Sequence, residues 1–330
     1  MTTSLPLASC AIRTIGVYLP EGIVPSSVIE TNLGVEPGWI KQRTGIESRR
    51  RVSSGQAASD LGVHAARAAM AAGEVSPDEI DVILCATCSG DMIVPSTACW
   101  IHRALGWRPM PAFDVSATCA GFLYAMELVS GLLGQGRYRN ALIVATEAMS
   151  PFLLSTDRQC SGLFGDGAAA TVVGLHGWIR LLDSDLGADG GLAELITLQG
   201  GGSRTPTSAA TVQNNDHYLR MNGREVYRQA VERMTSCVQR MLAKWSLGTS
   251  DVAWIIPHQA NARIAEAVGQ RLGVNDHRLV IDMQDLGNTS GATIPIALER
   301  TRPRMGAGDL VIVTTFGAGA TWGCQLYQVS

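Results

Sequence analysis

Two distant stretches of this chain carry the same order of local signals, and such a repeat restricts the fold more than composition does. Ser76-Pro77-Asp78-Glu79 reads as a capping box with proline at the first helical position. An apolar strand over 81–87, a loop and a helix over 97–105 follow, the helix stopping before Gly106. Downstream, Gly248-Thr249-Ser250-Asp251 precedes a strand over 252–256, the loop Pro257-His258-Gln259-Ala260-Asn261 and a helix over 262–272 that stops at Gly273. A second pair matches too. The strand 113–115, Cys119, an apolar helix and the strand 141–145 parallel a strand over 280–283, Asn288, a helix over 294–300 and the strand 310–315, with Cys119 and Asn288 at equivalent points.

The repeat predicts an α/β protein of two similar βαβ-rich halves, residues 1–177 and 178–330, packed as a layered structure. Right-handed crossovers would place the strand-to-helix loops of each half on one side of its sheet, where ligands bind in open α/β folds. Cys119, His258 and Asn288 all fall on such loops.

Cys119 stands between a strand over 111–115 and the helix 120–133, whose only charge is Glu127. A helix apolar nearly all round is buried. Its free N-terminal amides are expected to stabilise a thiolate and lower the thiol pKa, placing Cys119 as a nucleophile. Taken singly, Cys119 could be a structural core thiol, His258 a satisfied loop histidine and Asn288 a helix cap. Together they suggest a Cys-His-Asn acyl-transfer unit.

Charged residues make up 17% of the chain and the net charge is −3, so nothing global steers it to nucleic acid or a membrane surface. No apolar run approaches the roughly 18 residues a membrane span needs. The eight cysteines lack framework spacing, which suits reduced thiols in a cytoplasmic protein. Cys85-Ala86-Thr87-Cys88 has no second ligand pair and reads as core thiols, so no metal site is expected. The stripe Val226, Ala230, Val231, Met234, Cys237, Val238, Met241 and Leu242 of a helix over 225–242 also reads as core. Arg49-Arg50-Arg51 reads as a solvated turn, 187–191 as turns and 198–216 as a surface loop suited to a lid. Gly317, Gly319 and Gly323 lie too near the end for a dinucleotide-binding βαβ unit and suit a turn under the active site.

The ordered set of segments resembles the β-ketoacyl-acyl carrier protein synthase III family of the thiolase superfamily over nearly the whole chain. The segments are Trp39-Ile40, Arg43-Thr44-Gly45-Ile46, the Cys119 segment, Phe164-Gly165-Asp166-Gly167-Ala168, Met221-Asn222-Gly223-Arg224-Glu225-Val226, 257–263, 287–290 and 316–323. The resemblance implies a thiolase-like αβαβα sandwich and a homodimer. Cys119 would take an acyl group from acyl-CoA. His258 and Asn288 would then stabilise the enolate formed from malonyl-acyl carrier protein, and the amides of Cys119 and Ala318 would form an oxyanion hole. No cofactor is implied beyond acyl-CoA as substrate. Thiolases carry a second cysteine near the position of Phe316, and elongating synthases a histidine where Asn288 stands; neither pattern fits.

By the same resemblance Trp39 and Arg158 would sandwich the CoA adenine, Arg43 would approach its phosphates, and Arg228, Arg263 and Arg271 would dock the acidic carrier protein. A residue near Val94 would enter the partner subunit's acyl pocket. Valine is smaller than the aromatic that restricts such pockets, so a starter larger than acetyl is expected. Two alternatives stay open: transfer of the acyl group to another acceptor without decarboxylation, and a non-catalytic partner subunit.

Overall fold

In the computed structural model, which describes residues 10–274 and 277–330, nine strands form one sheet. From one edge to the other they run Trp254–Pro257, Leu310–Gly317, Thr321–Val329, Ile179–Ala188, Ala11–Tyr18, Gly167–Gly174, Ala141–Glu147, Val82–Ala86 and Ala112–Val115. The pairing pattern occurs twice. Val82–Ala86 is parallel to Ala112–Val115 and to Ala141–Glu147, which is antiparallel to Gly167–Gly174, itself antiparallel to Ala11–Tyr18. In the same way Trp254–Pro257 is parallel to Leu310–Gly317 and bridges Leu279 in parallel. Leu310–Gly317 is antiparallel to Thr321–Val329, itself antiparallel to Ile179–Ala188. Among the described residues the two sets pair in the sheet through Ala11 and Ile12 opposite Arg180 and Ile179.

Helices complete a layered αβαβα fold. Gly121–Gly134 and Thr293–Thr301 share one buried cluster with residues from both strand sets, including Leu84, Ile143, Ile256 and Val313. They are the middle layer, and the apolar run of the first is what such a position requires. Ala58–Ala72 and Thr97–Leu105 cover one outer face; Gly223–Trp245 and Ala262–Leu272 cover the other. Helix ends follow the sequence signals. Ser76 and Glu79 cap each other reciprocally around a short 3-10 turn, and Gly106 and Gly273 close their helices in the left-handed conformation.

Several expectations need correction. The expected strand 280–283 is no strand: only Leu279 bridges Ile255, while Gln259 pins the segment by donating to the Val280 carbonyl and accepting from the Asp282 amide. Gly187 is not a turn residue but lies in a strand opposite Trp322, whose ring leaves no room for a side chain. Nor is the surface loop wholly loop, since Ile196–Leu198 pairs with Leu219–Met221 and Ala209–Gln213 is helical. Cys119 and Asn288 lie on matching loops but not at matching positions. Thr118 and Ser290, with φ 47 and 48, are the equivalent left-handed residues, so Cys119 corresponds to Gly291.

The arginine run is the largest departure. Ser48–Arg51 is a strand paired with Gly22–Pro25, and Arg49 is fully buried. Its guanidinium donates to the carbonyls of Val24 and Gly162 and to Ser26 Oγ, and burial pulls its pKa down to about 10. Three arginines in a row suggest a solvated surface, but buried carbonyls facing a planar five-donor group reverse that preference. Replacing Arg49 with Met keeps the stem and leaves those acceptors without a donor. The expected loss is about 2–3 kcal/mol in urea unfolding, and an unchanged midpoint would refute the assignment.

Candidate active site

Three loops converge on one cavity of about 570 Å³. Its lining includes Cys119, His258 and Asn288, the three residues expected from sequence. Each follows a strand or bridge residue of the parallel kind: Ala112–Val115 for Cys119, Trp254–Pro257 for His258, and Leu279 for Asn288.

Cys119 lies in a 3-10 turn, Thr118–Ala120, immediately before the central helix begins at Gly121. Backbone contacts fix it. Thr315 Oγ1 donates to the Cys119 carbonyl at 3.0 Å, and Gly317 passes so close that a Cβ there would stand 2.9 Å from the Cys119 nitrogen and 2.4 Å from Thr118 Oγ1. Ala318 lines the same cavity, its carbonyl held by the hydroxyls of Thr118 and Thr321.

Asn288 is tied in from both sides. Its N–H donates to the Leu163 carbonyl at 2.9 Å, and its carbonyl accepts from the Gly165 N–H at 3.0 Å. Its Oδ1 accepts from the Ser290 N–H at 2.8 Å, which commits the oxygen and leaves the side-chain NH2 as donor. His258 is held by its N–H to the Thr314 carbonyl, and its Nδ1 lies 2.7 Å from Thr293 Oγ1. The Thr293 hydroxyl also has the Ser290 carbonyl, 3.0 Å away, as an acceptor, so its hydrogen serves either that carbonyl or Nδ1 according to the imidazole tautomer. With Nδ1 as acceptor, Nε2 carries the hydrogen.

The electrostatics reverse one expectation. Burial pushes the Cys119 thiol up to about 12, and the Glu147 charge adds to it, against a hydrogen bond from Ser290 that lowers it. Desolvation therefore outweighs the helix N-terminus, and the resting group is a thiol. Burial likewise pulls His258 down to about 3, leaving a neutral imidazole. Glu147 ends the strand Ala141–Glu147 fully buried, with its pKa raised, chiefly by that burial.

Other expected residues fall into two groups. Trp39, Arg43 and Arg158 all line the cavity, but it is Arg43 that stacks on the Trp39 ring, 4.4 Å from its centroid. Arg228, Arg263 and Arg271 are exposed on the two helices of one outer face, and Arg228 is engaged by Glu225 and Glu232. Val94 does not line the cavity; it is 77% exposed beside exposed Met92 and Ile93. Cys88 is no core thiol, since it lines the cavity. Ala230 and Met234 belong to the buried cluster expected of their stripe, with Val226 packed against it, and all three also form part of the cavity wall. Reading from sequence missed Glu147, Ser290 and Thr293, while Gly317 lies against the Cys119 turn, under the site as expected. A lone carboxylate ending an apolar strand was the available signal for Glu147.

Gly317 offers a direct check on this geometry. Replacing it with Ala forces the Cys119 turn to shift, at an expected cost of about 1–3 kcal/mol in stability, with the alkylation rate of Cys119 changed as well. Wild-type stability together with wild-type alkylation would show that the turn is not held as described.

The family model for 3-oxoacyl-[acyl-carrier-protein (ACP)] synthase III matches residues 113–190, and its C-terminal counterpart matches 242–329. A β-ketoacyl-[acyl-carrier-protein] synthase III of Nitratidesulfovibrio vulgaris is 42% identical, over 96% of this chain and 98% of that protein. The crystal structure of 3-oxoacyl-(acyl carrier protein) synthase III from Pseudomonas aeruginosa matches with a TM-score of 0.88 at 33% identity, covering 97% of this chain and 98% of the other. The priming β-ketosynthase of the R1128 polyketide pathway matches with a TM-score of 0.87 at 30% identity, covering 100% and 99%. With the segment around the cysteine and the segment carrying the histidine and asparagine both matched, the chain belongs to the 3-oxoacyl-[acyl-carrier-protein] synthase III family.

Proposed function

We infer that this protein is a condensing acyltransferase that joins an acyl-CoA starter to malonyl-acyl carrier protein and releases a 3-oxoacyl-acyl carrier protein. The observation that carries the reading is the meeting of Cys119, His258 and Asn288 on one cavity, in a chain of this family.

In the first half-reaction the Cys119 sulfur bonds to the acyl carbon, the bond to the CoA sulfur breaks, and CoA leaves as the thiol. Amides of Cys119 and Ala318 stabilise the tetrahedral oxyanion. In the second, loss of carbon dioxide from the malonyl group leaves an enolate. The Asn288 NH2 and the His258 Nε2–H are the two donors for its oxygen. Burial keeps His258 a neutral imidazole, and in the tautomer with Nδ1 as acceptor its Nε2 carries the hydrogen that is donated. The enolate carbon then attacks the Cys119 thioester, and the sulfur is expelled. Carbon dioxide loss drives the sequence, and the chemistry needs no cofactor.

Trp39, Arg43 and Arg158 form the entrance that takes CoA, an aromatic face with two cations for the nucleotide and its phosphates. Arg263 and Arg271 are the better-placed carrier-protein contacts, because Arg228 already answers two carboxylates. The exposed apolar run Met92-Ile93-Val94 supports a homodimer in which Val94 closes the partner's acyl pocket. The likeness to the R1128 priming synthase supports a second reading, the same condensation on a polyketide carrier protein; cognate carrier proteins of the two kinds separate them.

Intact-mass analysis with acyl-CoAs from acetyl to long-chain tests the nucleophile. One acyl adduct is expected, absent in Cys119→Ala. His258→Ala and Asn288→Ala should keep the adduct while condensation falls about 10²–10³-fold; adduct loss in either would reassign its role. For the starter, Val94→Phe should reduce activity on long acyl-CoAs more than on acetyl-CoA, and an unchanged chain-length profile would remove Val94 from the pocket.

A further inference from the structure

The three residues of the CoA entrance share a support. Trp39 and Arg43 stand on the helix Trp39–Thr44, whose 6 residues are too few to be stable without tertiary contacts. Ile40 anchors it, buried in one apolar cluster with Ile29, Leu33 and Ile46. Trp39 itself is only half-buried, and the guanidinium stacked on its ring belongs to the exposed Arg43. Apolar packing at Ile40 sets the depth of this short helix, but it has no directional hold on the polar backbone around Trp39.

Glu30 has that hold. It lies on the preceding helix, Ser26–Leu33, and is 4% exposed. Its Oε2 accepts the Gly38 N–H at 2.9 Å and its Oε1 accepts the Ile40 N–H at 2.8 Å, so one buried side chain grips the backbone on both sides of Trp39. With both oxygens accepting, the group serves as a carboxylate, and bonds of that kind are about twice as strong as neutral ones. The supporting helix is itself fixed, because Ser26 Oγ donates to the Ile46 carbonyl at 2.8 Å and accepts from the Arg49 guanidinium at 3.0 Å. At its other end the Leu33 carbonyl accepts from Arg158 Nη2 at 3.5 Å. Trp39, Arg43 and Arg158 therefore all lean on Ser26–Leu33, the first two through Glu30.

We propose that Glu30 is a positioning residue for the nucleotide end of CoA. By fixing the backbone before and after Trp39, it holds the indole ring, with Arg43 stacked on it, at the mouth of the acylation cavity. Glu30 touches no reacting atom and acts through Trp39. Losing it frees the ring without disturbing the Cys119 turn, so the effect falls on capture of the nucleotide and not on thioester exchange. The inference rests on the reading of Trp39, Arg43 and Arg158 as the CoA entrance.

The test compares two donors of the same acyl group, acyl-CoA and acyl-N-acetylcysteamine, a thioester without the nucleotide. Single-turnover acylation of Cys119, read by rapid quench and intact mass over a range of donor concentrations, is followed for wild type, Glu30→Ala, Glu30→Gln and Trp39→Ala. With acyl-CoA, Glu30→Ala should raise the half-saturating concentration about tenfold, the size of one lost base-stacking contact, and leave the limiting rate within about twofold of wild type. With acyl-N-acetylcysteamine the second-order rate should stay within about twofold of wild type. Glu30→Gln keeps one accepting oxygen and should fall between wild type and Glu30→Ala; should Glu30→Ala fail to fold, Glu30→Gln decides. A merely structural role would lower the amount of adduct from both donors alike and leave half-saturation by acyl-CoA unchanged. That result, in a protein where Trp39→Ala does raise half-saturation, would overturn the positioning role alone. Half-saturation by acyl-CoA unchanged in Trp39→Ala would overturn both the positioning role and the entrance reading beneath it.

Discussion

The strand Leu310–Gly317 ties the catalytic loops together. Thr314 offers its carbonyl to the His258 N–H, Thr315 donates its hydroxyl to the Cys119 carbonyl, and Gly317 lies against the Cys119 turn without a side chain between. The next residue, Ala318, is pinned to Thr118. Relative placement of Cys119, His258 and Ala318 is therefore a matter of sheet register and backbone contact rather than of flexible side chains. Such sites hold reacting groups closely enough for positioning to contribute to rate. Asn288 enters through a separate parallel bridge to Phe164, a segment whose neighbour Gly162 is gripped by buried Arg49.

Burial then sets the charge state of the site. Cys119 is a thiol and His258 a neutral imidazole, so charge develops mainly during reaction, where preorganised donors act most strongly. Glu147 is buried nearby, held by the Ser89 hydroxyl and the Cys88 and Gly291 N–H groups. Neutral Cys119 and His258 in a cavity of mostly apolar lining suit an apolar acyl chain.

Much of this was legible in the sequence. Helices 97–105 and 262–272 end where their glycines say they should, and Cys119, His258 and Asn288 sit on the expected strand-to-helix loops. What failed did so for identifiable reasons. The expected thiolate followed from the helix N-terminus alone, whereas desolvation of a deeply buried sulfur is the larger effect. Arg49 looked solvated because the carbonyls it satisfies, at 24 and 162, are remote in sequence. Ser290 and Thr293 carried no signal of their own; their importance arises from which side chains they meet once the loops converge.

The central claim is that acyl transfer from Cys119 and decarboxylation are one coupled event in this cavity. The most direct measurement isolates the protein already acylated on Cys119, adds malonyl-acyl carrier protein in the absence of CoA, and follows carbon dioxide and the fate of the acyl group together. One carbon dioxide released for each acyl group leaving the protein, with the acyl group recovered as 3-oxoacyl-acyl carrier protein, is the predicted result. Departure of the acyl group to an acceptor without carbon dioxide, or an acyl-protein that malonyl-acyl carrier protein leaves unchanged, would contradict it.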